Sequence, residues 1–254
     1  YPAFDENGEM VLTRTNGPFP DMLQNITVYR MQPGERRELL RPGEEMAAVL
    51  VEGAVPFYWQ GQSIAAQRGS FLKDGAYCLP VPKDVPITIE AQEASELLVQ
   101  ATQNDTAFES VLYTPENCQE EVFGLGQFEG KAQRAVRTFF DYHSAPYSNM
   151  VCGEIIIPQG GWSSYPPHEH PQPEVYYYRF AYPQGFGASF IGETVHVIRD
   201  RSFAAIPGGL YHPQVNAPGY AMYYAWMIRH FDGYPWTERN FDPKHQWLLE
   251  QGNE

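Results

Sequence analysis

The stretch that decides the fold is SSYPPHEHPQPE, residues 163–174. Side chains alternate between the two faces of a β-strand, so His168 and His170 are predicted to project from the same face. The prolines that follow within three residues cannot donate hydrogen bonds in a sheet, and the strand is therefore expected to end there. Two imidazoles close to the carboxylate of Glu174 are donor types that bind zinc, iron, manganese or nickel.

A strongly β-prone run, VYYYRF at residues 175–180, follows the glutamate and predicts a second strand. Further along, PGGLYHPQVN at residues 207–216 supplies a third imidazole, His212. An isolated H-x-H pair is also compatible with two solvated histidines on a surface strand. The patterns H-x-H-x3-E and P-x-G-x2-H-x3-N together, however, match the two sequence motifs of the cupin superfamily.

The cupin resemblance starts at Gly161 for the first motif and at Pro207 for the second, where Arg201 occupies the position of the usual leading glycine. It implies an all-β fold of the jelly-roll, or double-stranded β-helix, type. It also implies that one divalent metal ion is held by four residues: His168, His170, Glu174 and His212.

The bulk composition agrees with an all-β protein. The chain has 254 residues, 22 glycines and 22 prolines, and 15% aromatic residues, which suits many short strands joined by tight turns. The order of predicted strands and turns in the first half recurs in the second half, which predicts tandem cupin domains, or a bicupin. We assign residues 1–115 to an N-terminal cupin-like domain and residues 116–254 to a C-terminal cupin domain, with the join within 101–135.

Histidine usage distinguishes the two halves, because all seven histidines follow residue 142. The N-terminal domain therefore cannot form a multi-histidine metal site. We expect it to be structural or to shape a pocket wall, and we expect the C-terminal domain to carry the activity.

Charge and cysteine content exclude several classes of function. The net charge of −14 argues against nucleic-acid binding, which rewards clusters of lysine and arginine. The three widely spaced cysteines form neither a disulfide framework nor a thiolate metal site. No run approaches 18 apolar residues and the first residues do not resemble a signal peptide, so no membrane association and a cytoplasmic location are expected.

A closer resemblance covers most of residues 134–250. These residues are similar to the 5-deoxy-glucuronate isomerases of bacterial myo-inositol breakdown, which are related to the 4-deoxy-5-ketouronate isomerases of pectin breakdown. The matching stretches are 161–168, 174–180, 183–186, 211–213, 217–224 and 238–241. The resemblance implies a bicupin that interconverts a deoxy-uronate aldose, a small-molecule sugar acid, and its keto form. Zinc or manganese is the expected ion, with iron or nickel as alternatives.

Such an isomerisation moves a proton between neighbouring carbons through an enediol, which a metal ion contacting both oxygens stabilises. Glu174 is a candidate for the proton shuttle, and Tyr178 is a candidate donor to the developing oxyanion. A substrate carboxylate favours a bidentate arginine. Arg179 is the candidate for that role, with Arg201 and Arg137 as alternatives.

The chain departs from the isomerase pattern beside the predicted metal site. The family usually has lysine between the two histidines and a long polar insertion before its glutamate, whereas this chain has Glu169 and only three residues, 171–173. The departure leaves a different substrate or a lost isomerase activity as alternatives. A metal-dependent dioxygenase and a non-catalytic sugar-acid binding protein are the alternative functions. A homo-oligomer is compatible with the sequence, since jelly-roll barrels often pair through their sheet edges.

Overall fold

In a computed structural model of the protein, residues 1–118 and 120–251 are described. Nearly all of their regular structure is β-strand, which confirms the predicted all-β class. Contacts divide the chain into two compact units. The N-terminal unit comprises Pro2–Gln119 and Phe139–Met150, and the C-terminal unit comprises Glu120–Thr138, Val151–Glu254 and Tyr1. Two β-rich units are consistent with a tandem arrangement, and the boundary between residues 115 and 116 stays a prediction.

The N-terminal unit is built on an eight-stranded system in the order β1-β2-β8-β4-β7-β3, with β5 and β6 also paired to β4. The first half of the long strand β4 pairs with β8 as far as Glu52, with a register shift between Leu50 and Glu52. The second half, from Gly53 onward, pairs with β5. Such an irregularity bends a strand from one sheet into the next. The strands are β1 (Glu9–Thr13), β2 (Asn25–Met31), β3 (Arg36–Leu39), β4 (Glu44–Trp59), β5 (Gln62–Arg68), β6 (Tyr77–Val81), β7 (Ile87–Glu90) and β8 (Ser95–Gln103), with a 3-10 turn at Pro20–Met22.

The interior of the N-terminal unit is packed with apolar side chains. Alternate residues of the long strand, including Met46, Ala48 and Leu50, are fully buried together with Leu97 and Val99 of β8. Close-packed apolar side chains stabilise a fold by removing their surface from water. The core of this unit is thus apolar, and His143 is the one histidine within its residue ranges.

The C-terminal unit contains a six-stranded sheet in the order β17-β14-β19-β11-β10-β9, a four-stranded sheet in the order β12-β18-β15-β16, and the two-stranded pair β13-β20. A short helix α1 (Leu248–Gln251) follows the last strand, and a 3-10 turn spans Gln127–Gly130. The strands are β9 (Glu121–Phe123), β10 (Arg134–Phe140), β11 (Met150–Ile157), β12 (Trp162–Ser163), β13 (His168–Glu169), β14 (Glu174–Phe180), β15 (Phe186–Ile191), β16 (Thr194–Arg199), β17 (Phe203–Ile206), β18 (Gln214–Asn216), β19 (Met222–Arg229) and β20 (Asn240–Phe241).

The core of the C-terminal unit lies on one face of the paired strands β14 and β19. Tyr176, Tyr178 and Phe180 pack there with alternate residues of β19, among them Tyr224 and Trp226. Because side chains alternate along a strand, Glu174 at the start of β14 faces the same side as these aromatic residues. This register places a carboxylate at the end of an aromatic core. Along the described part of the chain, no helix is both long and apolar enough to cross a membrane.

Candidate metal centre

The two histidines of the H-x-H pattern are held on one side of a short strand. β13 pairs with β20, so that His168 lies opposite Phe241 and Glu169 lies opposite Asn240. The chain leaves the strand at the following prolines, and β14 begins at Glu174. His168 and His170 line the same cavity, as their spacing predicted, while the Glu169 side chain accepts a hydrogen bond from Asn240.

His212 reaches this strand because the loop after β17 approaches closely. The backbone N–H of Gly209 donates a hydrogen bond of 2.8 Å to the His170 carbonyl. A Cβ atom at Gly208 would lie 1.7 Å from the Pro171 carbonyl oxygen, so only glycine allows this approach. Gly209 has φ of +76°, a conformation that glycine adopts without steric cost. The two glycines of the second motif thus bring the third imidazole to the first two.

The imidazoles surround the carboxylate of Glu174. Glu174 Oε2 lies 3.2 Å from His170 Nε2 and 3.2 Å from His212 Nε2. His170, Glu174 and His212 offer ligand atoms that all lie within 4.8 Å of one another. His168 lies beside this group, its ring centroid 5.2 Å from that of His212. All four side chains are buried.

Backbone carbonyl groups determine the tautomer of each imidazole. The Nδ1 atoms of His168, His170 and His212 lie 3.1, 2.9 and 2.8 Å from the carbonyl oxygens of Pro166, Gln172 and Leu210 respectively. A carbonyl oxygen only accepts, so each Nδ1 carries a hydrogen, and in the neutral form of the ring the Nε2 lone pair is then available to a cation. Outer contacts of this kind orient histidines that bind metals.

The donor set fits a divalent cation. His212 Nε2 is buried without a hydrogen-bond partner among the described atoms, and its lone pair faces the Glu174 carboxylate. Two lone pairs at this distance repel each other unless a proton or a cation lies between them. Three neutral imidazoles and one carboxylate are suited to zinc, manganese, iron or nickel and leave coordination positions open. The assignment of the four residues as ligands stays a prediction.

The protonation states of His168 and Glu174 suit a cation, whereas the contact with Glu174 outweighs burial and raises the pKa of His212. Burial lowers the pKa of His168 to about 3, and the neighbouring His212 and Arg239 act in the same direction. Burial alone would raise the pKa of the Glu174 carboxyl, but the contacts with His170 and His212 outweigh it and hold that pKa at about 2. A neutral imidazole and an ionised carboxylate are the forms that bind metal ions.

The cluster opens into a cavity of about 110 Å³ in the C-terminal unit. Sequence reasoning missed most of the other side chains there, although the period of two from Glu174 would have pointed to Tyr176. Of the remaining lining residues, Ser163 and Ser164 belong to the stretch at 163–174, and the others come from strands and loops farther away in sequence, where no local pattern indicated them. They are Glu121, Phe123, Arg134, Val136, Thr138, Ile155, Ser163, Ser164, Trp226, Trp236 and Arg239.

Tyr176 is the tyrosine that contacts the cluster. Its hydroxyl donates a hydrogen bond of 3.0 Å to Glu174 Oε2 and lies 3.1 Å from Ser164 Oγ. Burial, with a further contribution from the Glu174 charge, raises the pKa of Tyr176 well above its usual value, so the hydroxyl keeps its proton at neutral pH. Tyr176 is therefore a hydrogen-bond donor inside the cavity.

Tyr178 lies deeper on the same face and does not line the cavity. Its hydroxyl donates to Gln214 Oε1 at 2.8 Å, and Gln214 Nε2 donates to the His212 carbonyl at 2.7 Å. Tyr178 thereby supports the backbone of the His212 loop. The structure gives it a position from which it steadies the loop, in place of the predicted position beside the reacting atoms.

The three arginines considered for carboxylate binding also lie outside the cavity lining. Arg179 projects from the opposite face of β14, and its Nε atom pairs with Asp200 at 3.0 Å. Arg201 pairs with the same aspartate at 3.1 Å. Arg137 pairs with Glu154 at 2.7 Å. Each guanidinium group is thus already matched by a carboxylate of the protein, outside the cavity lining.

Comparison with known proteins agrees with this architecture. The profile of the KduI/IolB family matches residues 2–248. A 5-deoxy-glucuronate isomerase from Geobacillus thermodenitrificans is 27% identical over 246 residues, which cover 88% of this chain and 85% of that protein. The crystal structure of an IolB-like protein from Salmonella typhimurium superposes with a TM-score of 0.86 at 21% identity and covers 98% of both chains.

The fold itself has a cupin counterpart. A cupin 2 conserved barrel domain protein from Leptotrichia buccalis has a TM-score of 0.52 at 12% identity, with 87% of this chain and 88% of that chain covered. The cupin barrel expected from the two motifs is therefore confirmed. Since the family profile spans nearly the whole sequence, this chain belongs to the KduI/IolB family.

Proposed function

We propose that this protein is a metal-dependent sugar-acid isomerase that interconverts 5-deoxy-glucuronate and its keto form. The observation that carries the proposal is the coincidence of two features. Relatives matched over most of the chain are named 5-deoxy-glucuronate isomerase, and a buried His170–Glu174–His212 group adjoins the cavity of the C-terminal unit. An aldose–ketose isomerase needs to hold two neighbouring oxygens and move one proton between their carbons.

His168, His170, Glu174 and His212 are proposed to hold one divalent ion, zinc or manganese. When bound, that ion supplies electrophilic stabilisation of the negative charge that develops on the substrate oxygens. The imidazoles are preset for this role because their Nδ1 hydrogens are already bound by backbone carbonyls. The assignment is tested by metal analysis of the purified protein and by reconstitution with each ion.

The other polar groups of the cavity orient the substrate and the carboxylate. Tyr176 donates to Glu174 Oε2, which restricts the position of that carboxylate. The same hydroxyl keeps its proton at neutral pH, and donation of that one hydrogen to a developing oxyanion, the role that the sequence suggested for Tyr178, requires it to leave Glu174 Oε2. Ser164 supports Tyr176 from the other side.

Two tryptophans form the apolar part of the cavity wall. The Trp236 ring lies 5.9 Å from the His170 ring, and the Trp226 ring lies 5.8 Å from that of Trp236. Large aromatic side chains exclude water, which strengthens electrostatic interactions within a site and protects a reactive enediol from side reactions.

The decisive experiment is an NMR time course of the metal-analysed protein with 5-deoxy-glucuronate in D2O. Formation of the keto acid, with deuterium at the carbon that receives the proton, is the expected result. Protein that carries its metal in full and gives no keto acid would refute the proposal.

A cytoplasmic location, a place in bacterial myo-inositol breakdown and a homo-oligomeric state are further expectations of the same proposal.

A further inference from the structure

The cavity contains two guanidinium groups that no carboxylate of the described residues neutralises. Arg134 comes from strand β10, and Arg239 comes from the segment just before β20. Neither forms an ion pair within the described residues, whereas Arg137, Arg179 and Arg201 each do. A charge that is largely removed from water without a countercharge is costly, so the half-buried Arg134 indicates an anionic ligand, and the exposed Arg239 lines the same cavity.

Arg134 is held in place by neutral groups. Its Nη1 atom donates to the Ala132 carbonyl at 2.8 Å, and its Nη2 atom donates to the Tyr165 carbonyl at 3.2 Å. The guanidinium carbon lies 5.6 Å from the centre of the Phe123 ring. These contacts orient the group but leave its full positive charge, so Arg134 is a fixed cation in the cavity wall.

Arg239 is brought to the cavity by the pairing of β20 with the H-x-H strand. The residues after it, Asn240 and Phe241, lie opposite Glu169 and His168. On its other side, Trp236 packs against the His170 ring. These contacts on both sides hold Arg239 at the cavity that His168 and His170 line. Its side chain is exposed and has no partner among the described residues.

The charges in the cavity contrast with those of the whole protein. The chain has a net charge of −14, which repels anions in general. Inside the cavity, the Glu174 carboxylate is engaged by His170 and His212 and does not neutralise either arginine. The remaining carboxylate in the lining, Glu121, is exposed and forms no ion pair with Arg134 or Arg239 within the described part of the chain. An anion is therefore attracted to the cavity despite the charge of the protein.

We propose that Arg239, together with the fixed cation Arg134, binds the carboxylate of the sugar-acid substrate. The proposal rests on the sugar-acid isomerase function and names the residues that select an acid over a neutral sugar. A guanidinium group recognises a carboxylate through two parallel hydrogen bonds, which a lysine cannot reproduce.

Binding to the metal-loaded protein tests this inference independently of turnover. The probes are D-glucuronate and its uncharged amide, D-glucuronamide, with affinities measured by calorimetry. The wild-type protein is expected to bind the acid more tightly than the amide. Arg239→Gln is expected to weaken binding of the acid by roughly 10- to 100-fold, as for loss of a charge-assisted hydrogen bond, and to change binding of the amide little.

Matched variants separate a specific contact from a general effect of charge. Arg36→Gln removes an exposed arginine from β3 of the N-terminal unit and is expected to leave both affinities unchanged. Arg239→Lys keeps the charge and is expected to recover only part of the preference. Arg134→Lys is expected to reduce the preference as well, and its metal content and thermal unfolding report whether it has folded.

Three outcomes would overturn the inference. They are equal binding of the acid and the amide by the wild-type protein, including no binding of either; an unchanged preference in Arg239→Gln; and an equal loss in Arg36→Gln. Turnover distinguishes this failure from that of the proposed function. If Arg239→Gln isomerises the substrate with an unchanged Michaelis constant, only the carboxylate-binding role of Arg239 is rejected. If the wild-type protein prefers the acid but does not isomerise it, only the isomerase function is rejected.

Discussion

The side-chain amide of Asn240 donates a hydrogen bond of 2.9 Å to the Glu169 carboxylate. Glu169 stands between the two histidines of the H-x-H pattern and replaces the lysine usual in 5-deoxy-glucuronate isomerases. Because neighbouring side chains on a strand project to opposite faces, its carboxylate points away from the side of His168. The departure from the family pattern therefore affects the attachment of the segment that carries Arg239, and it leaves the donor set unchanged.

Replacing Glu169 by lysine is expected to leave metal content at the wild-type value. The variant loses an exposed hydrogen bond, so the free energy of unfolding should fall by about 1 kcal/mol or less. Metal per chain and thermal unfolding measure the two effects. A variant depleted of metal would show that residue 169 contributes to the donor set after all.

Replacing His212 by alanine is expected to remove stoichiometric metal, because the buried group then keeps only two of its three mutually close donors. Metal analysis after dialysis measures the loss. His196→Ala, on the exposed strand β16, is the matched control and should retain the metal. Full metal occupancy in the His212 variant would exclude this residue as a ligand.

Replacing Tyr176 by phenylalanine removes the hydrogen bond to Glu174 Oε2 and deprives the Ser164 hydroxyl of its neighbour. Outer partners of metal-binding groups typically affect metal affinity or activity by about 10- to 100-fold, and we expect a loss of this size. Tyr220→Phe is the control, since its hydroxyl makes no hydrogen bond to any described residue. Equal activities of the two variants would contradict a role for the Tyr176 hydroxyl.

Replacing Gly208 by alanine should displace the His212 loop, because the added carbon would lie 1.7 Å from the Pro171 carbonyl oxygen. Overpacking of this kind costs about 1–3 kcal/mol or more in stability, and metal affinity should fall with it. Gly209→Ala meets no atom within 4 Å, so only its positive φ is unfavourable, at a cost of about 1–2 kcal/mol. Metal affinity of the Gly209 variant should exceed that of the Gly208 variant, and the reverse order would refute the explanation.

Replacing Arg179 by alanine should destabilise the protein without changing substrate affinity. The side chain is buried in an ion pair with Asp200, and removal of one partner of such a pair typically costs about 3–5 kcal/mol. Thermal unfolding and the Michaelis constant, measured well below the unfolding temperature, distinguish a structural role from substrate binding. A raised Michaelis constant with unchanged unfolding would restore Arg179 as a carboxylate-binding residue.

The sequence by itself determined the all-β class, the cupin motifs and the residues that meet at Glu174. Alternation along a strand is a local property, so the common face of His168 and His170 could be predicted from their spacing. The glycines of the second motif could also be recognised from the sequence. The close approach of the Pro171 carbonyl group, which requires glycine at position 208, could not.

Only the tertiary structure decided which other side chains reach the cavity. Tyr176 and Tyr178 share one face of β14, and their depth in the barrel, set by packing against β19, separates the group near Glu174 from the one beneath the His212 loop. The arginines of the cavity could not be identified from the sequence for a related reason. Whether a guanidinium group is neutralised by a carboxylate or left for a ligand depends on contacts between residues far apart in sequence, such as the pairing that brings the segment carrying Arg239 to His168.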